Sequence, residues 1–241
     1  MSEAQSLQRK VAVITGGSRG IGLALAFALA AEGCQVIIAG REARSLQAAA
    51  EKIGDTEAGI AAIACDVSNV DAVQRLFNTI EKRYSTVDVL VNNAGIAHAL
   101  ESIEKLSLDT WKQVMDTNLT GTFLCCRAAL PLMRAGGTIV NNLSVAATQA
   151  FAGMAAYNAS KAGMLGFTNV LREELRKKGI RVLALIPGAT DTAIWEQFWP
   201  EAPREKMVSP KTVAEAVVHV LKLPPEATIE EIRMGPSAGV L

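Results

Sequence analysis

The sequence predicts a doubly wound α/β fold, a seven-stranded parallel sheet with helices on both faces. Three observations lead there. The chain has 241 residues, half of them hydrophobic, enough for the core of one α/β domain. Short β-branched runs alternate with longer stretches of helical periodicity, strand first. The strand runs are apolar on both sides, as strands covered on both faces must be. No internal repeat, low-complexity tract or Pro-rich linker divides the chain, so one domain spanning residues 1–241 is expected.

Strands are expected at about Lys10–Thr15, Gln35–Ala39, Ile60–Cys65, Val87–Val91, Thr138–Leu143, Arg181–Ile186 and Glu231–Met234. Between them the spacing predicts helices at about Ile21–Glu32, Ala43–Ile53, Asn69–Tyr84, Ser107–Met133, Ala155–Lys178 and Pro210–Leu221. Gly33, Gly54, Gly136 and Gly179 fall near the helix ends as stop signals.

Lys plus Arg equal Asp plus Glu at 24 each, so no global field argues for nucleic acid or an anionic membrane as partner. Cys34, Cys65, Cys125 and Cys126 show no CxxC or metal-ligand spacing. No metal site is expected, and free thiols fit a reducing, cytoplasmic setting. His98 and His219 lack partners at metal spacing and read as core or solvated histidines. Residues Met1 to Arg9 lack the pattern of a signal peptide, and no run of eighteen apolar residues suggests a membrane span.

The first strand runs directly into Thr15-Gly16-Gly17-Ser18-Arg19-Gly20-Ile21-Gly22 and then an alanine- and leucine-rich helix. Such a junction presents free backbone N–H groups and the positive end of a helix dipole to a pyrophosphate, while glycine permits close approach. The spacing Gly16, Gly20, Gly22 differs from the generic GxGxxG fingerprint. Further groups follow in order: Cys65-Asp66-Val67, Asn92-Asn93-Ala94-Gly95, Asn118, Ser144, Tyr157-xxx-Lys161 and Pro187-Gly188.

Together these resemble the short-chain dehydrogenase/reductase family, with its TGxxxGxG loop, over nearly the whole chain. The resemblance implies a Rossmann-like fold and a nicotinamide cofactor. It implies that Asp66 and Val67 hold the adenine, that Asn93, Ala94 and Gly95 line the adenosine and ribose, and that Ile21 offers its backbone to the pyrophosphate. Asp66 also suits a turn or helix N-terminus. Pro187, Gly188, Thr190 and Thr192 would lie at the nicotinamide, Thr192 at the carboxamide. Ile186 and Thr190 depart from the residues usual at their positions.

An acidic residue about twenty positions past the glycine loop accepts hydrogen bonds from the ribose 2′-hydroxyl in NAD sites. Here the neighbourhood reads Gly40-Arg41-Glu42. A guanidinium can chelate a 2′-phosphate that a carboxylate would repel. Arg41 and Arg19 occupy the positions of basic residues in NADP-preferring relatives, and Ser18 can add a hydroxyl, so NADP(H) is the expected cofactor. A slip of one residue at the strand end would instead bring Glu42 to the ribose.

Tyr157 and Lys161 are four apart in a predicted helix and so share one face. A tyrosine titrates near 10, and a neighbouring ammonium favours its phenolate. Tyr157 is therefore expected to exchange a proton with a carbonyl or alcohol oxygen, with Lys161, joined by the cationic ring of the oxidised cofactor, drawing its pKa down. The resemblance adds that Lys161 binds the nicotinamide ribose, that Ser144 orients the substrate oxygen, and that Asn118 interrupts its helix and holds a relay water. Ser144 lacks the GxSxG turn of hydrolases.

Ile194, Trp195, Phe198 and Trp199 fall within residues 189–209, a candidate substrate lid. The same aromatics would equally suit packing onto the body or a neighbouring subunit. The substrate is expected to be a small-molecule carbonyl or alcohol. Many relatives act on 3-oxoacyl thioesters, but Glu226 to Leu241 lacks the terminal double glycine common among those enzymes. A homodimer or homotetramer is expected by analogy. The competing reading is an NADP(H)-binding regulator or scaffold with little turnover.

Overall fold

Alternate residues of the central strands feed two separate cores, and this fixes the layering of the molecule. The computed structural model describes residues 5–54 and 59–239. The first residues of the polar N-terminal stretch and the last two of the C-terminal one lie outside the described residues. Seven strands, β1 (Val11–Thr15), β2 (Gln35–Gly40), β3 (Ile60–Ala64), β4 (Val89–Asn92), β5 (Thr138–Asn142), β6 (Arg181–Pro187) and β7 (Glu231–Met234), form one sheet in the order β3-β2-β1-β4-β5-β6-β7. Every pairing is parallel.

The helices are α1 (Gly20–Ala31), α2 (Ala43–Ile53), α3 (Val70–Tyr84), α4 (Leu108–Met115), α5 (Gly121–Ala129), α6 (Ala155–Arg176) and α7 (Pro210–Leu221). Ala12, Ile14, Val36 and Ile38 pack with Leu25, Leu29, Leu46 and Val217, so α1, α2 and α7 cover one face. Val11, Val13 and Ile37 turn the other way, onto Leu76, Phe77, Cys125 and Leu171 of α3, α5 and α6. The predicted class and strand boundaries thus agree with the structure to within a few residues.

The main departure lies in the segment read as a single helix, Ser107–Met133. Ser107 is the cap of α4, its Oγ accepting from the Thr110 amide. A π-helical turn, Asp116–Thr120, then separates α4 from α5, and a 3₁₀ turn, Leu130–Leu132, ends the run. Apolar periodicity does not register a single widened turn, because the residues on either side keep nearly the same face.

Strand order reverses between β1 and β4, so their C-terminal loops diverge and leave a crevice, the usual ligand position in open α/β sheets. The two loops are bolted together there. Gly16, at φ 64°, brings its backbone against Ala94, and a Cβ built on it would lie 2.9 Å from Ala94 Cα. A Cβ on Gly22 would overlap the Gly16 carbonyl oxygen and Asn93 Nδ2. Gly22→Ala should therefore lower stability by about 1–3 kcal/mol, the usual range for forced overpacking. The exposed Gly166, with no atom within 4 Å of its Cβ position, serves as the contrast. Gly166→Ala should be neutral or stabilising, and paired urea unfolding curves check both.

Candidate active site

A single cavity of about 910 Å³ runs along the C-terminal edge of the sheet, from the end of β3 to the residues after β7. Of the candidate catalytic and cofactor-binding residues, all but Gly22 and Asn118 line it. Gly22 packs beneath the loop, and Asn118 is fully buried behind Gly95.

At the glycine loop, α1 starts with Arg19 as an extended N-cap that makes no side-chain capping bond, and its first turn holds no acidic residue. The leading N–H groups of the helix are thus left to an anion. Asn93 was expected at the ribose, but its side chain is spent inside the protein. Its Nδ2 donates to the carbonyls of Thr15 and Gly16, both at 3.0 Å, and its Oδ1 accepts from Asn142 Nδ2 at 2.8 Å. Only its other atoms remain for the cavity. Thr15, missed in the sequence, accepts from the Asn93 and Ala94 amides through Oγ1 at 3.0 and 3.1 Å.

Asp66 unites the two readings open for it. Its Oδ1 accepts from the Ser68 amide and hydroxyl in a turn, while the residue lines the cavity beside Val67. Strand β2 ends at Gly40, so Arg41 is the first residue beyond it. Glu42, the residue preceding α2, also lines the cavity, with its Oε2 accepting from Ser45 at 2.8 Å. Ser18, Arg19 and Arg41 all face the same end of the cavity. A phosphate-bearing dinucleotide fits these donors. Asn142 Oδ1, on β5 between Asn93 and Lys161, is buried and without a partner among the described residues.

Strand β5 delivers Ser144 and helix α6 delivers Tyr157 and Lys161. Ser144 Oγ accepts from the Ala146 amide at 3.1 Å, fixing the short 3₁₀ turn Val145–Ala147, and it lies near enough to the Tyr157 phenol to oppose the rise in its pKa. Lys161 Nζ lies 5.7 Å from the Tyr157 ring centroid and donates to the Asn142 carbonyl at 2.8 Å.

The titration expected from the sequence needs correcting. Burial pushes the Tyr157 phenol up, and the neighbouring Ser144 hydroxyl only opposes this. Burial also drives Lys161 down to about 7. No carboxylate accompanies the amine, so its ammonium is itself unstable there and is not among the influences lowering Tyr157. The chain alone therefore holds Tyr157 as a neutral phenol, the form that can donate a proton.

Asn118 sits in the π turn, so the expected interruption of the helix is present. Its side-chain Nδ2 donates to the Ile96 carbonyl and to Ser160 Oγ, and its Oδ1 accepts from the Ile96 amide. The amide protons are used up. A Cβ on Gly95 would lie 3.3 Å from Asn118 Oδ1 and 3.7 Å from Lys161 Nζ, so both groups approach one small space. Any water there has the second lone pair of Oδ1 as acceptor.

Past β6, Gly188 donates its amide to the Met234 carbonyl. Thr190 Oγ1 donates back to the Gly188 carbonyl at 3.1 Å, whereas Thr192 packs on the glycine loop, 3.1 Å from the Cβ position of Gly20. The segment 189–209 closes at its base through the Thr190–Val208 bridge. Arg204 ties it internally, pairing with Asp191 at 2.9 Å and donating to the Thr192 carbonyl at 2.6 Å. Trp195 stacks with Phe198 and Trp199, and Gln197 Oε1 accepts from the Ala97 amide across the cavity at 3.0 Å.

These features meet in one known arrangement. The profile of the family described as short chain dehydrogenase matches residues 10–203. The chain belongs to the short-chain dehydrogenase family. This short-chain dehydrogenase is 41% identical over 189 residues to a 3beta-hydroxysteroid dehydrogenase of Mediterraneibacter gnavus, covering 78% of this chain and 68% of that one. It is 41% identical over 199 residues to a 3-oxoacyl-[acyl-carrier-protein] reductase of Synechocystis, covering 80% and 79%. Among solved structures, a short-chain dehydrogenase of Burkholderia cenocepacia in complex with NADP superposes with a TM-score of 0.87 at 32% identity, covering 95% of this chain and 98% of that one.

Other groups in this dehydrogenase carry no catalytic chemistry. The four cysteines are free and buried, and burial pushes Cys34 to about 12 and Cys65 to about 11. His98 is buried, with Nδ1 against the Ala99 carbonyl. Among the described residues no cluster of ligands suits a metal ion, and no helix is long and apolar enough to cross a membrane.

The depressed Lys161 has a direct consequence. Below about pH 7 it carries a proton, and above it the amine is neutral while an unfolded lysine would stay charged to about 10.5. Its burial penalty on stability is thus full below pH 7 and is relieved as pH rises from about 7 toward 10.5. Titration of ¹³C-labelled lysines in the cofactor-free protein should show one resonance with a midpoint near 7, removed by Lys161→Met. A midpoint near 10 would contradict the burial argument.

Proposed function

We propose that this short-chain dehydrogenase is an NADP(H)-dependent oxidoreductase that interconverts a carbonyl and a secondary alcohol, with Tyr157 as general acid and base. The observation that carries this reading is the convergence of a neutral Tyr157 phenol, the neighbouring Ser144 hydroxyl and the buried Lys161 amine in the cavity that holds the glycine loop. The NADP named in the complexes of its structural neighbours agrees with that cofactor.

When bound, the nicotinamide supplies or accepts hydride. The loop of Gly16 to Gly22 and the open end of α1 would hold its pyrophosphate, Asp66 and Val67 its adenine, and Asn93 to Gly95 the nearby ribose. Ser18, Arg19 and Arg41 would hold the 2′-phosphate, and Pro187 to Thr192 the carboxamide end.

For reduction, Ser144 Oγ and Tyr157 Oη hold the substrate oxygen, and Tyr157 Oη releases its proton to it. The phenolate left behind is held by the Ser144 hydroxyl, with Lys161 and the space beside Asn118 offering the path by which a proton returns. Oxidation runs the same groups backwards, and there the raised Tyr157 pKa makes alkaline conditions favourable. Segment 189–209 acts as the lid that excludes water.

Tyr157→Phe keeps the ring and removes the proton. Turnover of NADPH with a reactive ketone should fall at least about 10²–10⁴-fold, while NADPH affinity, read by fluorescence titration, stays close to wild type. Near-normal turnover in the folded variant would remove Tyr157 from the chemistry. Arg41→Ala should weaken NADPH about ten- to a hundredfold and NADH little, the loss tempered if Arg19 and Ser18 share the phosphate. Dissociation constants for both cofactors check this. Equal losses would argue for a general adenosine contact, and a wild type that prefers NADH would give the ribose to Glu42.

A further inference from the structure

Resting on the carbonyl reductase reading, we propose that Arg233 binds a carboxylate at the far end of an otherwise apolar carbonyl substrate. The cavity has two chemically distinct ends. Its acidic lining residues, Glu42 and Asp66, follow β2 and β3 and so belong to the adenosine end. Around Ser144 and Tyr157 the walls are apolar, formed chiefly by Leu100, Phe151, Met154, Trp195, Phe198 and Trp199. Among the described residues, the charged side chains lining that region are Lys161, which is committed to the catalytic group, and Arg233.

Arg233 lies on the edge strand β7 in register with Ile186, one residue before β6 ends at Pro187. It is exposed, and no carboxylate among the described residues lies within ion-pairing distance of it. Its contact is a hydrogen bond from Nη1 to Thr148 Oγ1 at 2.9 Å. A guanidinium has five N–H donors in a planar fork, so most of its capacity stays open to a bidentate acceptor. Arg204 of the segment beside the site is already committed, pairing with Asp191.

The Thr148 contact also sets the spacing. Thr148 follows Ser144 by four residues through the Val145–Ala147 turn, and at about 2 Å of rise per residue the guanidinium stands roughly 8–12 Å from the reacting oxygen. A ligand spanning that interval presents its carbonyl to Tyr157, lays an apolar body along Phe151 and the tryptophans, and ends in the anion. A neutral ketone of the same length would leave the guanidinium to water.

The test measures binding, so that it stands apart from turnover. Protein saturated with NADP⁺ is titrated with a graded series of unbranched oxo-carboxylic acids and with the methyl ester of each, read by quenching of tryptophan fluorescence. The acid should bind about three- to tenfold tighter than its ester at the matching length, as expected for a charge-assisted contact partly screened by solvent. Arg233→Gln should bring the ratio of acid to ester to about one, and Arg233→Lys should keep part of the preference. A ratio of one in the wild type, no binding of either compound, or a preference that survives Arg233→Gln overturns the proposal. So does equal weakening of acid and ester, which would make Arg233 a support for the Thr148 turn. Absence of ketone turnover alongside a lost preference in Arg233→Gln would sink the reductase reading and leave the anion site standing.

Discussion

The site depends on a chain of buried hydrogen bonds at the point where the strand order reverses. Thr15 at the end of β1 grips the amides of Asn93 and Ala94, Asn93 grips the glycine loop in return, and Asn142 of β5 grips Asn93. The Asn142 carbonyl then receives Lys161 from α6. The glycine loop and the Tyr157–Lys161 pair are thereby held in one frame. Leaving any one of these buried groups unpaired costs about 1–3 kcal/mol, so the links are mutually enforcing. A second buried chain, Asn92 to Asn141 to Thr168, secures β4, β5 and α6 one step deeper.

Burial gives this frame its chemistry as well as its rigidity. Lys161 is almost wholly enclosed and accompanied by no carboxylate, which lowers its pKa, and the same low-dielectric setting raises that of Tyr157. The two shifts move the pair apart and favour the neutral form of each, a protonated phenol beside an amine that loses its charge above about pH 7. The π turn contributes by carrying Asn118 inward, where its side chain braces the Ile96 backbone and Ser160 instead of facing solvent. Ser160 in turn bonds the Tyr157 carbonyl, linking that brace to the catalytic helix.

Much of this is legible in the sequence, because the relevant signals are local. Strand runs, helix stops, the glycine loop and the four-residue spacing of Tyr157 and Lys161 depend on neighbours along the chain. What was not legible depends on distant partners. Asn93 looks like a ligand residue, yet its amide faces β1 and β5, a fact of strand order. The sign of the Tyr157 shift follows from how deeply α6 seats Lys161 against β5. The π turn hides in a helical run because one widened turn preserves the apolar face. Arg233 carries no local signal at all, since only the pairing of β7 with β6 brings it to the cavity.

Transfer of hydride to a carbonyl separates the proposed reduction in this cavity from mere binding of a dinucleotide. The most direct measurement uses NADPH deuterated on the transferable face of nicotinamide C4, with a panel of apolar ketones, and follows deuterium by mass spectrometry. Carbonyl reduction should place label on the carbinol carbon of at least one alcohol, in a single stereochemical sense, at the rate of NADPH loss. Tight NADPH binding with no deuterium reaching any product would contradict it and favour a regulatory or scaffolding protein.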